Sequence, residues 1–375
     1  MNLKEYIKNK SKDLNIDIVG FTNGEKFSHL DKFLLNRREK KYETEFEEKD
    51  IDLRLNPLNT LNEVKTIIVI GISYNVDYET KKRPYLSGRL SKSSLGEDYH
   101  NVLKHKMNML VNEIKKVTDF KYFIGVDTGP LIDRELASKS GIGWYGKNCC
   151  IVNDIYGSFI FIGYILTDLD IECDERIKAK CDDCTLCLKA CPTNAIGDNY
   201  EINARRCISY LTQTKDKIPY ELRDKMGTKI YGCDTCQLVC PKNKGITKGK
   251  NKDFIPMSTN GYIEIKELFQ LSNKEFKEKY GHMAGSWRGK NVLKRNAIIA
   301  LGNIGDKDSI GLIEQGLKDD SSMIREYAAW ALLKIDLDEG TKILKKHILK
   351  EKNETVIDEI NNLIKYFSTL SSHKR

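Results

Sequence analysis

No apolar run in this chain is long enough to cross a bilayer. The longest, VKTIIVIGISY (64–74) and GSFIFIGYIL (157–166), read as buried strands. The opening MNLKEYIKNKSKDLNI has the pattern of a polar amphipathic helix and no apolar export core. These absences predict a cytoplasmic protein with no membrane partner. A large charge excess is missing too, at a net +8 over 375 residues. Its distribution is uneven. Residues 241–300 hold eleven Lys, two Arg and five acids, an excess of +8 that equals that of the whole chain. Such a surface suits an anionic partner such as nucleic acid, and equally a merely solvated lysine-rich face.

What the chain has is cysteine, eleven in all, with nine between residues 173 and 245. In a large chain with no export signal this favours metal or redox chemistry over disulfides. CDDCTLCLKACP (181–192) is a CxxCxxCxxxCP run, the bacterial ferredoxin spacing. Three thiolates curl around one iron–sulfur cube, the fourth points to a second cube, and the proline turns the chain away. Tetrahedral zinc is the alternative, but it needs neither the third cysteine nor the trailing CysPro. CDTCQLVCP (233–241) supplies a second, shorter run. The count closes with Cys181, Cys184, Cys187 and Cys240 on one 4Fe–4S cluster. Cys191, Cys233 and Cys236 take the other, and Cys207 is the only cysteine between the motifs left to complete it. Cys149, Cys150 and Cys173 stay outside as buried or incidental thiols.

With 40% apolar residues the chain can build two or three cores. Helix and strand patterns alternate over residues 1–172, as in an α/β or α+β layered domain. Residues 173–245 form the cluster module, and 246–284 a basic connecting segment. From 285 to 375 the pattern is helical. VLKRNAIIALGNIGDKDSIGLIEQGLKDDSS and MIREYAAWALLKIDLDEGTKILKKHILKEKN repeat at an offset of 31, matching Ala297 to Ala328, Ala300 to Ala331, Leu301 to Leu332 and Ile304 to Ile335. A degraded third unit follows at 355–367. Helix pairs with small residues at close contacts predict a HEAT-type stack. The fold class is therefore α+β multidomain: an α/β domain, a bacterial-ferredoxin-like two-cluster module and C-terminal HEAT-like helices.

VDTGPLIDRELASKSGIGWYGKNCC (126–150) is the other dense stretch. Asp127 ends a strand and enters a glycine-rich loop, a common place for ligands. Burial would make it a general acid; a helix N-terminus would instead hold it ionised. Asp133 competes with it, and reads as a surface partner for a nearby Arg or Lys.

This stretch, together with CDDCTLCLKACPTNAI, NARRCISYLTQTK, YGCDTCQLVCPKNK and GHMAGSWRGKNVLKRNAIIALGN in that order, resembles the epoxyqueuosine reductases over almost the whole chain. The resemblance implies reduction of epoxyqueuosine to queuosine at the tRNA wobble position. The clusters would reduce the cobalt of a cobalamin bound by residues 1–172 to its low-valent state. The epoxide oxygen would leave as water, with two electrons and two protons consumed. A base-off cobalamin is implied, and the chain has no DxHxxG motif to supply a lower histidine. Asp127 becomes the proton donor, held protonated by desolvation beside the corrin and Trp144/Tyr145. Arg54, Asn148, Ser209 and Asp234 fall on stretches that contact cobalamin in relatives. Where relatives can carry a cysteine upstream of GxDYH, Ser91 is the nearest counterpart. The tRNA anticodon stem-loop would meet Lys215, His282, Trp287, Arg288, Lys290 and Arg295, with Trp287 either stacking on a base or bridging into the repeats. A flavodoxin- or ferredoxin-type protein is implied as electron donor, and a monomer suffices for one stem-loop. Rival readings are a reductive dehalogenase-like enzyme and a plain ferredoxin-type carrier.

Overall fold

The computed structural model describes residues 2–79 and 81–372. They pack as two compact units. The first comprises Met1–Tyr78, Gly96–Cys207 and Asp234–Pro256; the second comprises Glu79–Leu95, Ile208–Cys233 and Met257–Arg375. These limits cross the divisions expected at 172/173, 245/246 and 284/285. Pattern and composition report local structure, and neither reports which distant stretches share a core.

The first unit is built on a four-stranded sheet in the order Ile18–Asn23, Thr66–Ser73, Ile160–Thr167, Tyr122–Gly125. Every pairing is antiparallel. Alternation of helix and strand patterns does not encode strand direction, and here it yields the α+β variant. Thr66–Ser73 is buried at all eight positions. Its Ile68, Ile70 and Ile72 enter one core with Val102, Leu103, Met107, Leu110 and Ile114 of the helix Tyr99–Lys115. Its Ile67 and Val69 enter another with Leu34, Leu55, Leu136 and Ala137. Burial on both faces is why the strand reads as a continuous apolar run. Leu110 is wholly buried, and Leu110→Ala would cost about 2–5 kcal/mol. Gly163 lets the helix approach, since a Cβ there would stand 2.9 Å from Met107 Cε.

In the second unit a three-stranded sheet joins Lys229–Tyr231, Ser87–Leu90 and Tyr262–Glu264. The middle strand runs parallel to the first and antiparallel to the last. The helix Lys290–Ile304 packs on it, and buried Asn296 Nδ2 donates to the carbonyls of Thr212 and Ile230 at 2.7 and 2.8 Å. The repeat is present as helices Lys290–Ile304, Ser322–Ile335 and Glu354–Ser372. Ala297, Ala300, Ala328 and Ala331 are all fully buried. A Cβ on Gly302 would lie 2.7 Å from the Trp330 ring, so the first two helices need that glycine to meet.

Candidate active site, cluster loops and basic groove

Two residues beyond the strand Tyr122–Gly125, Asp127 adopts φ +47°. A non-glycine residue there is strained by roughly 1–3 kcal/mol and must be held by its surroundings. Its N–H donates to Asp133 Oδ2 at 2.8 Å. The loop wraps tightly over Tyr164: a Cβ on Gly125 or Gly129 would come within 2.1 or 2.2 Å of that ring or its hydroxyl. Arg134, the next residue, donates from Nη1 to the Cys149 carbonyl at 2.7 Å.

The Asp127 side chain is 64% exposed and points at the start of the helix Tyr99–Lys115. Tyr99 OH donates to its Oδ2 at 2.6 Å. His100 Nε2 stands 3.5 Å from the same oxygen, and His100 Nδ1 lies 2.7 Å from Asp98 Oδ1. Asp98 also N-caps the helix, accepting from the His100 N–H at 3.0 Å. Desolvation raises the Asp127 carboxyl, but the His100 and Tyr99 contacts outweigh it and hold it below its ordinary value. Water screens an acid this exposed, so these contacts assign it a charge state and no stability. Burial lowers His100, yet Asp127 and Asp98 raise it to about 9. Asp133 differs. Its Oδ1 is buried without a hydrogen-bond partner among the described residues. Burial, then the charge of Asp127, pushes it up to about 7.

Two sequence expectations meet the structure here. Trp144 is 1% exposed in the core, and with this face open the His100 and Tyr99 contacts outweigh desolvation and favour the ionised form of Asp127. Asp133 is half-buried and faces main chain, not a surface cation. Sequence reasoning passed over Asp98, Tyr99 and His100. The available signal was an Asp before an amphipathic run, which marks a helix start and so puts the next two side chains at its exposed end.

Four of the cobalamin candidates, Arg54, Asp127, Asn148 and Asp234, belong to the first unit; Ser91 and Ser209 belong to the second. Arg54 is buried against Glu47 at 3.2 Å and Glu43 at 3.8 Å, and its Nη1 has no hydrogen-bond partner among the described residues. Asn148 is 5% exposed, with Oδ1 accepting the Cys150 N–H and Nδ2 likewise without a partner. Asp234 accepts from the Gln237 and Leu238 amides through its carbonyl, at the start of a short helix. Ser91 is buried with Oγ 3.0 Å from Ser93 Oγ. Gly232 makes room for it at φ +67°. The Ser209 carbonyl accepts from Thr212 and Gln213 side chains, each at 2.9 Å.

Thiols of the two cysteine runs are electrostatic neighbours. Cys240 has Cys181 and Cys184 as neighbouring thiols, and Cys236 has Cys191. Cys187 lies near Cys181 and also near Cys236. The short helices Leu186–Ala190 and Thr235–Leu238 pack together. Main-chain amides aim at sulfur: Lys147 N–H to Cys181 Sγ at 3.4 Å, Ala195 N–H to Cys191 Sγ at 3.3 Å. Among the described residues no three His, Cys, Asp or Glu side chains are close enough to share one metal ion; a four-iron cube holds its thiolates wider apart than a lone ion does. Cys150 contacts Cys236, and Cys149 is buried with its S–H on the Tyr200 carbonyl. Cys173 is exposed.

In the second unit a cavity of about 650 Å³ is lined by Lys215, Lys277, Trp287, Arg288 and Lys290, among others. Trp287 is 52% exposed, so it is not a core bridge. Its Nε1 donates to Gln213 Oε1 at 3.0 Å, and Arg288 lies 4.7 Å over its ring. Four of the six expected tRNA contacts are thus brought together. His282 is half-buried beside this set. Arg295 does not belong to it: the residue is 0% exposed and donates to the carbonyls of Thr214 and Leu211 at 2.6 and 2.9 Å. A phosphate cannot reach it, and its role is to hold the 211–214 turn.

A Lactococcus garvieae epoxyqueuosine reductase is 43% identical over 342 residues, 89% of this chain and 97% of that protein. The chain belongs to the epoxyqueuosine reductase family. The Bacillus anthracis epoxyqueuosine reductase is 39% identical, covering 96% of each chain. The profile described as "Epoxyqueuosine reductase QueG, DUF1730" matches residues 54–128, which include Arg54, Ser91 and Asp127. A 4Fe-4S double cluster binding domain matches 180–243, which decides against zinc, and HEAT repeats match 289–364. Solved epoxyqueuosine reductases superpose closely. One with an epoxyqueuosine-modified tRNA stem loop has a TM-score of 0.93 at 38% identity, covering 98% of this chain and 99% of that one. A Bacillus subtilis structure, described with its catalytic aspartate loop swung out of the active site, has a TM-score of 0.92 at 38% identity, covering 97% of this chain and 98% of that one. Family membership removes the dehalogenase-like and plain-carrier readings. Among the described residues no helix is long and apolar enough to cross a membrane.

Proposed function

We propose that this chain reduces epoxyqueuosine to queuosine at the wobble position of tRNA, with Asp127 delivering a proton to the departing epoxide oxygen. The observation that carries this reading is the Asp98–His100–Asp127 array on an open face, inside a chain of this family. The oxygen leaves as water, which consumes two protons and two electrons. His100 holds one proton, 3.5 Å from Asp127 Oδ2. Asp98 fixes the ring so that Nε2 is the end presented. Tyr99 keeps Asp127 facing outward, and Asp133 keeps its main chain in the left-handed turn. Covering this face would strip water from Asp127 and favour its protonated form, at the expense of His100.

A base-off cobalamin fits the donors that the fold leaves unmatched. Among the described residues, buried Arg54 Nη1 and Asn148 Nδ2 have no hydrogen-bond acceptor, and they suit the amide carbonyls at a corrin's rim. When bound, cobalamin supplies low-valent cobalt as the source of electrons, and the two 4Fe–4S clusters supply its reduction. Cys181, Cys184, Cys187 and Cys240 would hold one cluster, and Cys191, Cys207, Cys233 and Cys236 the other. The groove at Trp287 offers an aromatic face for a splayed base and Lys215, Lys277, Arg288 and Lys290 for phosphates. The reading has the protein acting as a cytoplasmic monomer, fed by a flavodoxin- or ferredoxin-type donor. The test is a nucleoside profile of tRNA from cells lacking this protein. Epoxyqueuosine should accumulate and queuosine vanish; unchanged queuosine would refute the reading.

A further inference from the structure

We infer that the first unit carries a docking face for a small acidic one-electron carrier protein, centred on Leu186 and Leu238 and rimmed by Lys242 and Lys244. The inference rests on the cluster assignment above. The two short helices that pack together each expose a leucine, Leu186 at 49% and Leu238 at 54%. Both sit between cluster cysteines: Leu186 between Cys184 and Cys187, Leu238 between Cys236 and Cys240. The helix Leu186–Ala190 buries no residue at all, so folding gives Leu186 no reason to be apolar.

The adjoining turn is pinned from within. Asn243 Oδ1 accepts the Ser158 N–H at 2.7 Å, and its Nδ2 donates to Ser158 Oγ at 2.9 Å and to the Gln237 carbonyl at 2.7 Å. Gln237 is itself buried and donates to Tyr74 OH at 3.1 Å. Lys242 and Lys244 flank the anchored residue and are both exposed. Residues 237–252 contain five lysines and no acid. The amides of Lys242 and Asn243 contact Cys240, so this positive rim begins within two residues of a cluster ligand. An apolar centre followed in the chain by exposed lysines, with Asp182 and Asp183 exposed just before Leu186, suits a brief, electrostatically oriented encounter between proteins. RNA phosphates would use the lysines and gain nothing from the leucines.

At each encounter one electron crosses. A flavin hydroquinone on the carrier becomes a semiquinone, or a reduced 2Fe–2S centre becomes oxidised, and one 4Fe–4S cluster passes from its 2+ to its 1+ state. Two encounters supply the pair that epoxide reduction consumes.

The test uses the anaerobically reconstituted full chain and follows bleaching of cluster absorbance in a stopped-flow instrument. The probes are a reduced acidic flavodoxin, a reduced 2Fe–2S ferredoxin, and dithionite as a non-protein reductant. Lys242→Glu with Lys244→Glu should slow bleaching by the better carrier about tenfold or more and flatten its salt dependence. Leu238→Gln should slow it by about threefold, at unchanged salt dependence. Dithionite bleaching, iron content and affinity for a tRNA stem-loop should stay as in the parent. An unchanged carrier rate in the lysine variant, or no bleaching of the parent by either carrier, would overturn the docking face. Lost stem-loop affinity with an unchanged carrier rate would reassign the lysines to RNA. A parent that dithionite cannot bleach would bring down the cluster assignment underneath.

Discussion

Asp133 Oδ2 accepts the backbone N–H of Asp127 at 2.8 Å, so the two acids of this loop are tied through main chain while their charges oppose each other. Asp133 is half-buried, and desolvation of its carboxyl with the charge of Asp127 pushes it up to about 7, above the value of about 3.9 that it has unfolded. A raised acid contributes stability that is full below its unfolded value and lost as pH rises through the folded one. Thermal stability of the parent should therefore decline between about pH 4 and pH 7. Asp133→Asn keeps an acceptor for the Asp127 amide and removes the titration. Its melting temperature should overtake the parent's at pH 8, by an amount on the order of 1–3 kcal/mol. Equal pH dependence of melting in the two proteins would refute this.

Asp127→Asn should leave iron content and the fold intact and cut turnover of epoxyqueuosine tRNA by about 10²–10⁴-fold, the usual worth of a positioned acid. Single-turnover assays on the reconstituted protein read this directly. Full activity would remove Asp127 from the chemistry.

His100 is raised to about 9 by its two carboxylate neighbours against the pull of burial. The stability it contributes is complete below about pH 6.5 and disappears as pH rises through about 9. In the parent, turnover should fall on the alkaline side over the same window, as the proton on Nε2 is lost. His100→Gln should lower turnover at pH 7 and abolish that alkaline limb. An unaltered pH–rate profile in the variant would show that His100 holds no proton the reaction uses.

Trp287 and Arg295 should separate binding from folding. Trp287→Ala removes an exposed ring and should weaken stem-loop binding by about 1–3 kcal/mol at unchanged melting temperature. Arg295→Met removes four hydrogen bonds and leaves three acceptors, the carbonyls of Leu211 and Thr214 and Asn296 Oδ1, without their donor. It should destabilise by about 3 kcal/mol or more, while molecules that remain folded bind the stem-loop normally. Calorimetry and a salt titration of affinity distinguish the two. Cys207→Ala offers a parallel check on the clusters, since iron should fall from about eight to about four atoms per chain.

Much of this was legible in sequence because it depends on short-range spacing. The strand Thr66–Ser73 shows as an apolar run because both its faces are covered. The repeat shows because Ala297 and Ala328 meet the same packing demand 31 residues apart. The double-cluster domain shows because a cube leaves little freedom in loop length. What stayed hidden depends on distant residues meeting. Asp127 reads as a lone acid until the fold sets His100 beside it. Arg295 reads as a phosphate ligand in a basic stretch until the 211–214 turn closes over it. The strand Ser87–Leu90 carries no mark that its partners lie near residues 230 and 263.

That last pairing has a consequence for how the molecule comes into being. The middle strand of the second sheet leaves the ribosome long before Tyr262–Glu264, and helix Lys290–Ile304 follows later still. Until those residues emerge, Ser87–Leu90 can pair only with Lys229–Tyr231 and keeps one edge open, while the sheet of the first unit is complete by residue 167. The second unit must then form as a late event around a strand already synthesised. A chain cut short near residue 257 would leave the edge of that strand that faces Tyr262–Glu264 open, ready to pair with another copy.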